Sequence, residues 1–230
     1  MADSWRLAFM VDAADGDLDT LEKALVDDAA EMRRLIGDAS LRLGIVDRSP
    51  EYGEGGGSAS RTVDAAVEVT LAASRATGLP EVARPLFAVI GSLAEPGSVE
   101  VMAGPMFPMV PQRDGGSILS LAFSRYPGTT SQQFRDWWRL QHAPLAIRVL
   151  GPGLLAYDQV HVDHVITVAL AEACGIAAYP YDAYDNLTWA SPSDFLASLT
   201  DADGMAELSK DETGRIDNDT RRSAMLRRIG

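Results

Sequence analysis

The chain has 230 residues, 47% hydrophobic and 23% charged, a globular composition long enough to bury one large core or two small ones. The formal net charge of −13 argues against nucleic acid and anionic membrane surfaces as partners, and no apolar window approaches the roughly 18 residues needed to cross a bilayer. One cysteine, Cys174, excludes an internal disulfide; the N-terminus has an early acidic residue and no basic stretch, so a cytoplasmic protein without a signal peptide is expected.

The first half reads as strand, helix, strand, strand, helix, strand. "WRLAFMVD" (5–12) is a short apolar run, and from Leu18 the apolar residues Leu21, Leu25, Ala29, Met32 and Ile36 recur at helical spacing up to Gly37. "SLRLGIVD" alternates as a strand, and "EYGEGGGSAS" reads as a loop because it lacks the lysine and the strand-to-helix setting of a phosphate loop. "AAVEVTLAAS" alternates again, "PEVARPLFAVIGSLA" is a helix opened by Pro80, and "SVEVMAGPMF" is the closing strand. "PMVPQRDGG" reads as a linker.

The second half repeats the order. "SILSLAFSRYPG" is a strand running into a Pro-Gly turn; a long helix, the strand "GLLAYDQVHVDHV", the strand "YDAYDNLTWAS", a Ser-capped helix "SPSDFLASL" and an edge strand "SAMLRRI" follow. The insert containing Cys174, ahead of the third strand, is a candidate lid. The tripeptide Leu-Ala-Phe opens both halves, at 7–9 and 121–123. A β-α-β-β-α-β unit leaves one sheet face bare, and two such units can close an eight-stranded barrel. The expected fold is therefore α+β: tandem ferredoxin-like units, residues 1–110 and 116–230, forming a pseudo-dimeric barrel around a cavity.

Thr130-Ser131-Gln132-Gln133 has the form of a capping box, and Phe134, Trp137, Trp138, Gln141 and Leu145 form one helical stripe. His142 flanks that stripe, and Pro144 is expected to end or bend the helix beside it. In the next strand Tyr157, Gln159 and His161 share a face, expected to be the barrel interior, with Val160 and Val162 toward the helices. Asp182, Tyr184, Asn186 and Thr188 form a second polar row for the same cavity. His161-x-Asp163-His164 has metal-like spacing, but neighbouring strand residues diverge to opposite faces, so no metal is expected.

The run R-x-P-G-x-T-x-x-Q-F-x-x-W-W-x-x-x-H-A-P-L, Arg125 to Leu145, resembles the signature of the EthD domain family. "GLLAYDQVHV", "YDAYDNLTWASPSDFLASL" and "LSKDETGRID" resemble that family's later elements in order. The resemblance implies a dimeric α+β barrel whose wider group includes polyketide cyclases, decarboxylases, lactone isomerases, cofactor-free monooxygenases and haem enzymes. It carries over His142 as a site residue, with Arg125 and Trp138 also matching the pattern. In the first half, the position matching His142 is Asp28, and no histidine occurs there, so that half is expected to be a degenerate partner.

The leading expectation is a cofactor-independent acid–base enzyme: a lyase, dehydratase, decarboxylase or isomerase for a hydrophobic carbonyl or phenolic molecule. His142 would move the proton, His161 and Tyr157 would assist, and Trp138, Gln159, Tyr184, Asp182 and Arg125 would bind substrate. The alternatives are a cofactor-free or haem-dependent oxygenase and a non-catalytic binding module; a second copy of the chain is a candidate partner.

Overall fold

The computed structural model describes residues 2–52, 61–111 and 115–229. Most of the glycine-rich loop and the centre of the expected linker (112–114) lie outside these residues. The first half contributes β1 (Ser4–Val11), α1 (Leu18–Asp27), α2 (Ala29–Ile36), β2 (Ser40–Val46), the two-residue β3 (Arg61–Thr62), β4 (Ala65–Ala72), α3 (Leu79–Ile90) and β5 (Glu100–Val110). The helix expected without a break from Leu18 is interrupted at Asp28, which is the C-cap of α1 and the N-cap of α2.

The second half contributes β6 (Ser117–Arg125), α4 (Ser131–Trp137), α5 (Ala143–Leu150), β7 (Ala156–His161), α6 (His164–Cys174), β8 (Ala183–Trp189), α7 (Pro192–Ser198), α8 (Ala202–Glu212) and β9 (Ile216–Ile229). Eight antiparallel strands close into a barrel in the order β2-β4-β1-β5-β7-β8-β6-β9. The closure is β9 on β2, Leu43–Val46 against Leu226–Ile229. The segment "SAMLRRI", expected at an edge, is thus paired on both sides: β6 takes one flank and β2 the other. Within each half the strands lie in the order second, third, first, fourth.

The barrel interior is filled. Ala8, Met10, Ala66, Met102, Ile118, Ala122, Val160, Tyr184 and Ala224 pack there. Charges tie the two halves through it. Arg6 pairs with Asp158 at 2.9 Å, and Glu68, held by Arg42, accepts from Tyr184 Oη at 2.7 Å and from Asn186. Arg222 pairs with Glu100 at 2.8 Å and with Asp12. The expected interior cavity is therefore corrected: this space is occupied by side chains and ion pairs.

On the outer face of the N-terminal half, Leu7, Phe9, Val67 and Val101 pack against Leu21, Leu25, Met32, Leu79 and Leu86. The insert expected as a lid is α6, N-capped by Asp163; its Leu170 and Ala171 join this same core. Cys174, at its end, is half-buried, and that burial pushes its thiol up to about 11. No helix among the described residues is long and apolar enough to cross a membrane.

Candidate active site

The side chains of β7 face the opposite way from the sequence expectation. Asp158 points inward because Arg6, from the other half, supplies its counter-charge there, and Val160 and Val162 pack beside Met10 and Met102. Tyr157, Gln159 and His161 therefore face the helix layer of the C-terminal half. Tyr184, Asn186 and Thr188 share the barrel interior with Asp158, so the sheet separates the two polar rows that were expected to meet.

The long helix starts as its sequence dictates. The Thr130 hydroxyl accepts from Gln133 N–H, the Gln133 side chain answers at Thr130 N–H, and Phe134, Trp137 and Trp138 are buried. Pro144 does not end the helix; a π-turn over Trp138–His142 absorbs it, and α5 continues to Leu150. The wider turn relieves the clash a proline ring makes with the carbonyl four residues back. The Trp138 carbonyl accepts from Ala143 N–H and from Gln159 Nε2 at 3.1 Å. Gln159 Nε2 also donates to Tyr157 Oη at 2.8 Å, so one amide fixes both the turn and the tyrosine.

The π-turn delivers His142, 7% exposed, to a partner the sequence reading missed. Asp211 of α8 accepts from Nδ1 at 2.9 Å, and its other oxygen accepts from Trp137 Nε1 at 3.1 Å. A carboxylate on Nδ1–H sets the tautomer and leaves the Nε2 lone pair for chemistry. His142 lines a cavity of about 360 Å³ between the C-terminal sheet and α5, α7 and α8. That size suits a small molecule. The walls are largely apolar, with Leu119, Leu121, Phe123, Leu187 and Trp189 on the sheet side and Leu150, Phe195 and Leu208 on the helix side.

Five other lining residues carry the polar chemistry: Tyr157, Asp185, Ser209, Glu212 and Arg221. Burial raises the Asp185 carboxyl well above the usual range; Arg221 opposes this and Glu212 reinforces it. Its Oδ1 has no hydrogen-bond partner among the described residues. Burial, with Asp185 adding to it, likewise raises the Tyr157 phenol. Glu212 and Arg221 form an ion pair at 2.8 Å. Asp185 alternates with Tyr184 along β8, which puts it on the face away from the expected interior cavity, and that is the face on which this cavity lies. Asp211 and Glu212 sit in "LSKDETGRID", a segment noted only for its resemblance, and nothing local marks Asp211 as the partner of a residue 69 positions away.

The remaining candidates lie elsewhere. His161 is buried, stacks on Trp138 at 5.0 Å, lies tilted against Phe107 at 4.7 Å between ring centroids, and does not line the cavity. Burial, and then the cations Arg135 and Arg139, bring it down to about 3, so it is neutral at pH 7. Trp138 belongs to an aromatic core with Phe123 and Phe134. Tyr184 lies inside the barrel, accepting from Ser120 Oγ at 2.9 Å. Asp182 and Arg125 form an ion pair at the strand end, where Arg125 Nε donates to the Thr129 carbonyl at 2.8 Å and clasps the Pro-Gly turn. His164 Nε2 also contacts Asp182, at 3.0 Å, so these charges serve each other.

No cluster of three or more His, Cys, Asp and Glu side chains among the described residues is placed to hold a metal. A haem, implied by the wider barrel group, fits the cavity poorly. His142 would be the one nitrogen ligand on offer, but the other charged lining residues are Asp185, Glu212 and Arg221, and that one cation is already paired. Two propionates would meet carboxyl groups where they need free cations.

The fold and this cavity define an α+β barrel protein with a helix-roofed small-molecule pocket in its C-terminal half. Residues 126–219 match the EthD domain, so the cavity is built largely from that segment. No curated protein sequence matches the chain significantly. Among solved structures it is similar to a protein described as a candidate monooxygenase from Fusobacterium nucleatum (8% identity, TM-score 0.60, 100% of this chain and 94% of that one). It is also similar to an anthrone oxidase-like protein (10% identity, TM-score 0.60, 100% and 92%) and to a mutant chlorite dismutase from Candidatus Nitrospira defluvii (8% identity, TM-score 0.53, 100% and 92%). At such identities the likeness shows a shared fold.

Proposed function

We propose that the chain is a cofactor-independent enzyme that removes a proton from a flat, apolar carbonyl or phenolic molecule and passes the resulting anion to dioxygen. One observation carries this reading: His142, with Asp211 on its Nδ1 and Nε2 without that partner, lines a largely apolar cavity of about 360 Å³. Such a pair makes imidazole a competent base, and low polarity around it keeps the anion reactive. For an activated methylene the balance is CH2 + O2 → C=O + H2O. One oxygen atom enters the product, the other leaves as water with the two hydrogens, and the substrate carbanion supplies the electrons. The names of the structural neighbours favour this oxidative class over the lyase, dehydratase, decarboxylase or isomerase expected first. The strand order supports reading the barrel as two ferredoxin-like units, 1–110 and 116–230, with the working site on the second.

Oxygen uptake by the purified protein with anthrone and 1-naphthol as probes tests the reading. Uptake without added cofactor is expected, falling roughly 10²- to 10⁴-fold in His142→Ala. Uptake unchanged in that variant would sink His142 as the base. The second reading, an isomerase or lyase, shares the proton-abstraction step and is favoured by Tyr157 and Asp185, two cavity groups whose burial favours the protonated form and either of which could return the proton. It predicts solvent-deuterium exchange at the activated carbon with no oxygen consumed.

A further inference from the structure

We propose that Asp185 is the residue that grips the substrate oxygen across the cavity from His142, as the oxyanion donor of this site. The assignment rests on the proton-abstraction step above and goes beyond it by naming the group that receives the developing charge. Proton loss to His142 Nε2 leaves an electron pair that delocalises onto the neighbouring oxygen, and a donor must meet it there.

The cavity offers few such donors. Its floor is β8, whose backbone is paired on both sides: Asp185 lies opposite Gln159 of β7 and Leu121 of β6. The floor amides are therefore spent in the sheet. Arg221 is paired with Glu212, the Tyr157 hydroxyl keeps its hydrogen while it accepts the Gln159 amide, and Trp189 Nε1 is a donor without a partner among the described residues. Asp185 differs from these as an ionisable group buried without a partner. It is 3% exposed and lines the cavity, and its Oδ1 has no partner among the described residues. A buried carboxyl left in that state is costly, and a ligand oxygen would satisfy it. Burial favours the protonated carboxyl, with Glu212 helping and Arg221 opposing, and a protonated carboxyl donates. The proton stays on Asp185 throughout; only the substrate's C–H or O–H bond breaks.

This arrangement also selects the substrate. The one cation, Arg221, is already neutralised by Glu212 and a protonated Asp185 adds no charge, so a carboxylate or phosphate ligand is desolvated with no compensating charge. The site takes uncharged ketones, enols or phenols on a flat apolar frame.

The test compares 1-naphthol with naphthalene, which has the same shape but no oxygen, in wild type, Asp185→Asn and Asp185→Leu. Wild type should prefer naphthol. Asp185→Asn, which keeps a donor, should hold that preference within about 3-fold, and Asp185→Leu should lose about 10-fold of it with naphthalene affinity undiminished. With anthrone, kcat/KM for oxygen uptake should fall about 10²- to 10³-fold in Asp185→Leu and less in Asp185→Asn. An equal naphthol preference in wild type and Asp185→Leu, or none in wild type, overturns the assignment. If Asp185→Leu does not fold, the near-isosteric Asp185→Asn still serves: it identifies the protonated-carboxyl infrared band by its loss. That band should shift in wild type when 1-naphthol binds, and a band that is absent or does not move overturns the proposal. Naphthol preference that depends on Asp185 without any oxygen uptake would end the oxygenase reading and leave this one standing.

Discussion

The two halves of the barrel share a strand order and use their helix layers for opposite purposes. In both, the first helix is interrupted: at Asp28 between α1 and α2, and at the π-turn Trp138–His142 between α4 and α5. The second helix differs. In the N-terminal half it is α3, twelve residues whose Leu79, Ala83, Leu86 and Ile90 seal the sheet, with α6 laid across it. In the C-terminal half it is split into α7 and α8, and the cavity opens against the sheet beneath them. The site thus arises from dividing one helix, not from any space inside the barrel. The division also brings in Asp211 and Glu212, which a single short helix over the sheet would not carry.

The strongest way to break the comparison is to cut the charges that join the halves. Glu68 belongs to the first half, yet Tyr184 and Asn186 of the second donate to it. Burial would push its carboxyl up; Arg42 and Arg6 outweigh that and hold it at about 2. Glu68→Gln leaves Arg42 without its partner inside the protein and should cost about 3–5 kcal/mol in urea unfolding at pH 7. The sign with pH follows from a lowered carboxyl. The ion-pair stability is present above the ordinary value near 4.5 and is lost as pH falls toward 2, so that acid limb should flatten in the variant. A loss under 1 kcal/mol would show that apolar packing alone joins the halves.

The element order was legible because each signal was local: the capping box at Thr130, Ser191 accepting from Asp194 N–H at α7, and alternation in β2 and β4. His142 was legible as a site residue through a motif. The facing of β7 was not, because both its faces are buried, and the choice turned on Arg6, 152 positions away. The segment that became α6 escaped for a similar reason: it is apolar with no clear stripe, and its core is on the other half. Asp185 was on the right face of β8 but the cavity was expected on the other one, and Asp211 was invisible because an acidic residue near a helix end ordinarily faces water.

His161 sharpens the comparison within the C-terminal half, since it is buried two residues from Gln159 yet lies off the cavity. Its folded-state value near 3 against an ordinary 6.5 means that the unfolded chain binds the extra proton in between. Stability should therefore drop as pH falls from about 6.5 toward 3, by about 2 kcal/mol at pH 5. His161→Phe should remove that slope, cost under about 1.5 kcal/mol at pH 7, and leave oxygen uptake near wild type. A collapse of uptake matching that of His142→Ala would return His161 to the catalytic group.

The smallest effect should come from the residue that His142 replaces in the other half. Asp28 makes no side-chain cap hydrogen bond to α2 and is half-buried, so Asp28→His should change stability by about 0.5 kcal/mol or less. A histidine there still lacks what makes His142 a base. The last turn of α3, Phe87–Ile90, carries no carboxylate to accept from its Nδ1, and apolar side chains fill the space between that helix and the sheet. Adding Asp28→His to His142→Ala should consequently restore no oxygen uptake, measured with anthrone under the same conditions. Any rescue would mean that an imidazole at this helix break suffices, and that neither Asp211 nor the opened helix layer is what distinguishes the two halves.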